Sequence, residues 1–503
     1  AARHAAEDAP DAGEERLEGD LFRFLRGGRH IAFANRRADV EHFADALRRR
    51  GEAMRLPNEF WPHHGSLQKQ LREDAEDALR NTSRPATVIA TTTLELGIDV
   101  GAVESIAQIG PPPSVASMRQ RLGRAGRRGS PAVLRVFIRE EEIGADSSPQ
   151  DRLRMELVQT VAMVRLLARR WYEPPPAGAL HLSTLVQQVL SVLAQHGEAR
   201  AEEIHRLLCA TGPFRGVDAW AFMALLRDLG GAELITQMHT GALVLGGAGE
   251  RLVNQHDFYA AFASPEEYRL EAGSRTLGTL PVTTPITMGL PIVFAGRRWK
   301  VTEVDDERKV IQLAPAGGGR PPAFGGNAAP VHDRVRREMR DVYRADDAPA
   351  FLDPAAAALL AEARAEFRRM ELHERDLLPW GRATLWFPWA GDRVLGTLQL
   401  MLRAAGLEAA TELGALRIDR CTPPEVGDAL RELAAAPPPD PRALAESVAT
   451  KHVEKHHVWL SDALLAADYA AGRLDVQGAR DVLAASAAAG APSLSRASAD
   501  GIR

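Results

Sequence analysis

The densest chemistry in this sequence lies in Gln120-Arg121-Leu122-Gly123-Arg124-Ala125-Gly126-Arg127-Arg128-Gly129, where arginines recur among small residues. Guanidinium groups are planar, permanently charged and matched to phosphate oxygens, so such a run can hold a phosphate or offset charge that develops during its transfer. A second group, Ala90-Thr91-Thr92-Thr93-Leu94-Glu95-Leu96-Gly97-Ile98-Asp99, overlaps the end of the apolar stretch Thr87-Val88-Ile89-Ala90. A turn that leaves a strand presents backbone amides and hydroxyls to a phosphate, and a carboxylate such as Asp99 can accept from ribose hydroxyls. Phe33-Ala34-Asn35-Arg36-Arg37 and His63-His64-Gly65-Ser66-Leu67, the latter followed by Arg72-Glu73, complete the set. Two adjacent histidines with no cysteine or second histidine pair at ligand spacing do not make a metal site, so the His64-Gly65 loop is read as a phosphate contact.

Such residues need rigid elements behind them. From Arg29 to about Ile138, short apolar runs alternate with amphipathic segments, the pattern of strands and helices wound into a parallel sheet. Strands are predicted at 30–34, 87–90, 103–109 and 132–138. One helix carries Val40, Phe43, Ala44 and Leu47 at helical spacing and stops near Gly51, and another carries Leu71, Ala75, Ala78 and Leu79.

The chain has 503 residues, more than one core usually serves, so several domains are expected. Hydrophobic residues make up 45% and charged residues 26%, which excludes wholesale disorder. With a net charge of −5, any grip on a polyanion must come from local positive grooves rather than from the field of the whole molecule. Only Cys209 and Cys421 occur, which rules out a disulfide framework and points to a reducing cytoplasm. No apolar run reaches the roughly 18 residues of a membrane span, and the start lacks a signal-peptide core. The first residue is Ala1 rather than methionine, and an acidic stretch follows at once; the expectation is a fragment with something upstream.

Residues 1–148 therefore read as an α/β domain with a parallel sheet, and 149–180 as a connecting helix ending at Pro174-Pro175-Pro176, where proline cannot continue it. Residues 181–253, with three helices and a small hairpin, have the order of a winged-helix domain. Residues 254–330, rich in Gly and Pro, read as a small β-barrel or sheet, and 331–503 as an alanine-rich helical part with a disordered tail, so that the region after 253 is α+β. Trp299 beside Arg298 and Lys300 has the composition of a base-stacking platform with phosphate clamps, although its alternation with Val301 equally fits a strand's core face. Trp386, Phe387 and Trp389 read as core. His452, His456 and His457 lack the support needed for a metal site, so none is expected.

The arginine run resembles motif VI of superfamily 2 helicases, the threonine turn resembles motif V, and the segments at 33–37 and 63–73 resemble motif IV and its neighbour. Their order within one domain makes the likeness that of a second RecA-like domain. Within that superfamily, Phe60-Trp61-Pro62-His63-His64-Gly65-Ser66-Leu67, Thr93-Leu94-Glu95-Leu96-Gly97-Ile98-Asp99 and Gln108-Ile109-Gly110-Pro111-Pro112 are similar to the Lhr (large helicase-related) family. So are Asp257-Phe258-Tyr259, the segment 295–305 and Pro321-Pro322-Ala323-Phe324. The resemblance implies an ATP-dependent DNA helicase that moves 3′ to 5′ on single-stranded DNA and displaces a paired strand, in a DNA-repair setting. It assigns Gln120, Arg124 and Arg127 to catalysis and Gly97 and Asp99 to the nucleotide. It assigns Asn35, Arg37, His64, Gly65, Thr91 and Thr92 to nucleic acid. It further implies ATP and Mg2+ as cofactors and single-stranded DNA and DNA–DNA or RNA–DNA duplexes as partners.

Neither a GxxxxGK(S/T) phosphate loop nor a DExH box occurs in these residues. ATP and Mg2+ would then be bound chiefly by another RecA-like domain, and this chain alone would not hydrolyse ATP. The alternative is a non-catalytic nucleic-acid-binding or assembly module derived from a helicase. A nuclease or glycosylase would need a carboxylate cluster or base pocket that the sequence does not display.

Overall fold

A computed structural model describes residues 12–96, 101, 103–126, 131–144, 146–175, 177–262, 266–273, 275–281, 286–316 and 329–489. The chain divides into two compact units. One comprises Ala1–Glu173, Pro265–Val331 and Glu338–Glu366; the other comprises Pro174–Ser264, His332–Arg337 and Phe367–Arg503.

The first unit is built on a five-stranded, wholly parallel sheet of β1 (Arg29–Ala34), β2 (Phe60–His63), β3 (Ala86–Ala90), β4 (Ser105–Ile109) and β5 (Val133–Phe137), in the order β2-β3-β1-β4-β5. The three central strands are apolar almost throughout because both faces are covered. Ala32 and Ala34 face α1 (Ala12–Leu25) and α2 (Arg37–Ala53), packing with Leu21, Phe43 and Leu47. Ile31 and Phe33 face the opposite layer, which includes Ala75 and Leu79 of α3 (Lys69–Arg80). The remaining helix of the site, α4 (Val115–Leu122), follows β4.

The second strand was not among those predicted, and its sequence, Phe60-Trp61-Pro62-His63, explains why. Proline cannot donate to a ladder, yet it is tolerated here because β2 lies at the edge of the sheet.

The same unit holds a five-stranded sheet of Glu267–Ala272, Arg275–Pro281, Pro291–Phe294, Arg297–Asp305 and Val310–Pro315, with Arg275–Pro281 at one edge and Pro291–Phe294 at the other. Its one parallel pairing joins Glu267–Ala272 to Val310–Pro315. Pro321 to Phe324 lie outside the described residues.

In the second unit, helices Leu182–His196, Ala201–Leu208 and Ala219–Gly231 share a core with a three-stranded antiparallel sheet of Glu198–Ala199, Leu243–Leu245 and Ile235–Gln237. The region 331–503, read as helical, also contains a four-stranded antiparallel sheet of Leu377–Trp380, Ala383–Trp386, Ala415–Asp419 and Ala409–Glu412. Helices Asp392–Ala404 and Pro423–Ala435 pack with it around Trp386, which is fully buried; Phe387 and Trp389 are buried as well, as core residues.

Candidate nucleic-acid and phosphate site

Parallel strands deliver their carboxyl ends to one edge of a sheet, and that edge is where ligands are met in open α/β folds. Four neighbouring strands do so here: β2 runs into His64 and Gly65, β3 into Thr91 and Thr92, β1 into Asn35 and Arg37, and β4 into Gly110 and Pro111. Hydrogen bonds tie the ends together. Asn35 Nδ2 donates to the Pro111 carbonyl at 2.7 Å, the Thr91 amide donates to the His63 carbonyl at 3.3 Å, and the Arg37 guanidinium donates to Ser66 Oγ. Asn35, Arg37, Gly65 and Thr92 are exposed, and Thr91 is half-buried. A Cβ placed on Gly65 would meet nothing within 4 Å, so its backbone is open to close approach. His63 itself is buried, with Nδ1 2.8 Å from Thr93 Oγ1 and Nε2 3.2 Å from Glu76. Burial holds its pKa below the ordinary imidazole value, against the opposing pull of Glu76.

The arginine run begins on α4 and leaves it at Gly123. Ser114 caps the helix through a bond from the Ser117 amide at 3.0 Å, and the Glu173 carboxylate accepts from the Val115 and Ala116 amides, each at 2.8 Å. Val115, Met118 and Arg121 fall on the buried face of α4, while Gln120 is exposed. Arg121 is 1% exposed. Its Nε meets Glu95 Oε2 at 3.0 Å, its Nη1 donates to Gln108, and its guanidinium stacks on Phe33 at 4.7 Å from the ring centroid. Burial lowers its pKa, opposed by Glu95.

Arg124 is half-buried and donates from Nη2 at 2.8 Å and Nε at 3.1 Å to the backbone oxygen of Glu95, whose carboxylate is engaged by Arg121 and by Ser117 Oγ at 2.8 Å. Ala125 bridges Val103, two residues before β4 begins, while Arg124 itself is held on Glu95, beyond the carboxyl end of β3. Gly97, Asp99 and Arg127 lie outside the described residues.

Three candidates are placed differently from their assignment. Trp299 is 9% exposed and donates from Nε1 to the Phe294 carbonyl at 2.8 Å, so its ring is part of a core and offers no face to a base. Arg298 pairs with Asp45 at 2.8 Å, bracing the small sheet against α2. His64 is 1% exposed and holds Glu41 at 2.8 Å, so the loop presents Gly65 outward rather than this imidazole. Glu95, Arg121, Gln108 and Glu41 were not singled out in the sequence. The cue for Arg121 was its place three residues after Met118 on an apolar helix face. Among the described residues no group of histidine, cysteine or carboxylate side chains could hold a metal ion, and Cys209 and Cys421 are free.

The family model for the helicase conserved C-terminal domain matches residues 16–129. Over 291 residues the chain is 29% identical to the Lhr helicase/probable uracil glycosylase of Mycolicibacterium smegmatis, a match covering 53% of this chain and 18% of that protein. Over 297 residues it is 27% identical to the Lhr helicase/uracil glycosylase of Escherichia coli, covering 52% and 17%. The matches thus span less than a fifth of the length of either relative. In fold it is similar to the structure of Mycobacterium smegmatis helicase Lhr bound to ssDNA and AMP-PNP, with a TM-score of 0.59 and 19% identity, over 96% of this chain and 67% of that one.

Proposed function

We propose that this chain, a carboxy-terminal part of an Lhr-type superfamily 2 helicase, is the strand-gripping half of an ATP-driven motor that moves 3′ to 5′ on single-stranded DNA and displaces its complement. The observation that carries the reading is the gathering of exposed polar groups at the carboxyl ends of one parallel sheet. Asn35, Arg37, Gly65 and Thr92 gather at the carboxyl ends of its strands, where a DNA backbone can lie along exposed amides and hydroxyls. Arg124 is held on the backbone oxygen of Glu95, beyond the carboxyl end of β3.

Arg124 would stabilise charge on a transferring γ-phosphoryl group, a role we assign also to Gln120 and Arg127, with Gly97 and Asp99 assigned to the nucleotide. Charge neutralisation at the phosphates would come from Mg2+ accompanying the nucleotide. The triphosphate and metal would be gripped mainly by a RecA-like half that supplies the phosphate loop and acidic box. The three helices and small sheet of 182–245 have the element order of a winged helix, and the sheet of 267–315 would be the β-rich part of the domain that follows it.

The test is strand displacement from duplexes carrying a 3′ or a 5′ single-stranded tail, using the chain joined to its native upstream reading frame. Unwinding confined to the 3′-tailed duplex and dependent on ATP is the expected result. Binding of both duplexes without ATP-dependent displacement would instead favour a nucleic-acid-binding module.

A further inference from the structure

Glu41, on α2, is 4% exposed, and its carboxylate bonds both the loop that follows β2 and a turn of the small sheet. Oε1 accepts from His64 Nε2 and from the Ala295 amide, both at 2.8 Å, and Oε2 accepts from the Gly296 amide at 2.6 Å. Ala295 and Gly296 both have positive φ, 54° and 66°, and both amides of this turn converge on the carboxylate. Phe294, one residue earlier, lies edge-on to the His64 ring at 5.8 Å.

The stretch after His64 is held from the same side. Ser66 accepts from the Thr279 amide at 2.8 Å, and the Gln68 amide donates to the Leu277 carbonyl at 3.0 Å, so the loop adds itself to the edge strand Arg275–Pro281. The fit leaves no slack, since a Cβ on Gly278 would stand 2.1 Å from the Ser66 carbonyl oxygen. Gly65, between these two anchors, faces open space.

We propose that Glu41 is a positioning residue: with the edge strand around Gly278 it lets the small sheet of 267–315 set the backbone of the 64–68 loop for its contact with single-stranded nucleic acid. The proposal rests on the nucleic-acid reading given above. A buried carboxylate with three donors fixes the loop more firmly than packing alone, and its loss leaves an imidazole and two amides buried without an acceptor. The small sheet thereby contributes to the grip without offering a base-stacking side chain of its own.

The experiment measures binding of a labelled oligo(dT) by the 503-residue chain across a salt series, with thermal midpoints recorded for every variant. Glu41→Gln and Gly278→Ala disturb the loop from its two anchors, and Asp306→Asn alters the acceptor of the Tyr268 hydroxyl elsewhere in the small sheet without touching the loop. Both loop variants should weaken binding about tenfold and flatten the dependence of log Kd on log salt, because phosphate contacts are lost. A fold merely loosened would lower the active fraction and leave that slope unchanged. Asp306→Asn should bind as the parent does. If Glu41→Gln fails to fold, Gly278→Ala decides. Loop variants that bind with the parental Kd and slope overturn the proposal and leave the nucleic-acid reading standing. A parent chain that binds no oligo(dT) overturns that reading and the proposal with it.

Discussion

Arg121 and Arg124 sit three residues apart in one run, and their surroundings differ: one is buried and the other half-buried. Arg121 is sealed between Glu95, Gln108 and Phe33, so Arg121→Ala removes one partner of a buried pair and should cost about 3–5 kcal/mol of unfolding free energy. Arg124→Ala removes two bonds to a backbone oxygen at a half-buried position and should change stability by no more than about 1 kcal/mol, measured by urea titration. If the two costs were equal, the division into a structural and a functional arginine would be wrong. Trp299 belongs with the structural group: Trp299→Ala should cost about 3–5 kcal/mol in the same titration, because it empties a core position. The sequence held the cue, since Trp299 and Val301 alternate inward along one strand while Arg297 and Lys300 point out. What it could not reveal was Glu41, whose partners at 295 and 296 are distant in the chain and are backbone amides.

Among the elements, α1 is fastened to α2 by charge. His42 Nε2 lies 3.1 Å from Glu14 and 3.3 Å from Glu18, and Arg50 reaches Glu18 at 3.3 Å. Burial alone would lower the His42 pKa, but Glu18, Glu14 and Asp39 outweigh it and raise the group above its ordinary 6.5. Burial would likewise raise Glu18, but His42 and Arg50 outweigh it and lower the group below its ordinary 4.5. A raised imidazole contributes fully below its unfolded value and loses that contribution as pH climbs through the folded one. A lowered carboxylate contributes above its unfolded value and loses that as pH falls. The clasp is therefore strongest between pH 4.5 and 6.5. Thermal melts at about pH 6 and about pH 8 should show a lower midpoint at the higher pH. The part of that difference that disappears in His42→Ala belongs to the clasp, and an unchanged difference would refute the assignment. Elements of this kind were legible where apolar runs were long, as in β1, β3 and β4. They were hidden where strands were short or held proline, as in β2 and in Leu377–Trp380, which contains Pro379.

At the scale of the whole molecule, the parallel α/β sheet was readable because three of the four motifs follow strand ends and the fourth follows a helix, a pattern that depends on local sequence alone. The pairing of distant strands in the other sheets, such as Ala383–Trp386 with Ala415–Asp419, depends on contacts that no local window contains. Among the described residues no helix is long and apolar enough to cross a membrane. In the proposed function this chain supplies the arginine side of a shared ATP site, and the measurement that tests this most directly is DNA-stimulated ATP hydrolysis. It should be made on this chain alone, on the chain extended through its native upstream reading frame, and on the extended chain with Arg124→Ala. The account predicts hydrolysis only in the extended protein and a fall of about 10³-fold with Arg124→Ala. Hydrolysis undiminished by Arg124→Ala, or none in the extended protein while it still binds single strands, would contradict it.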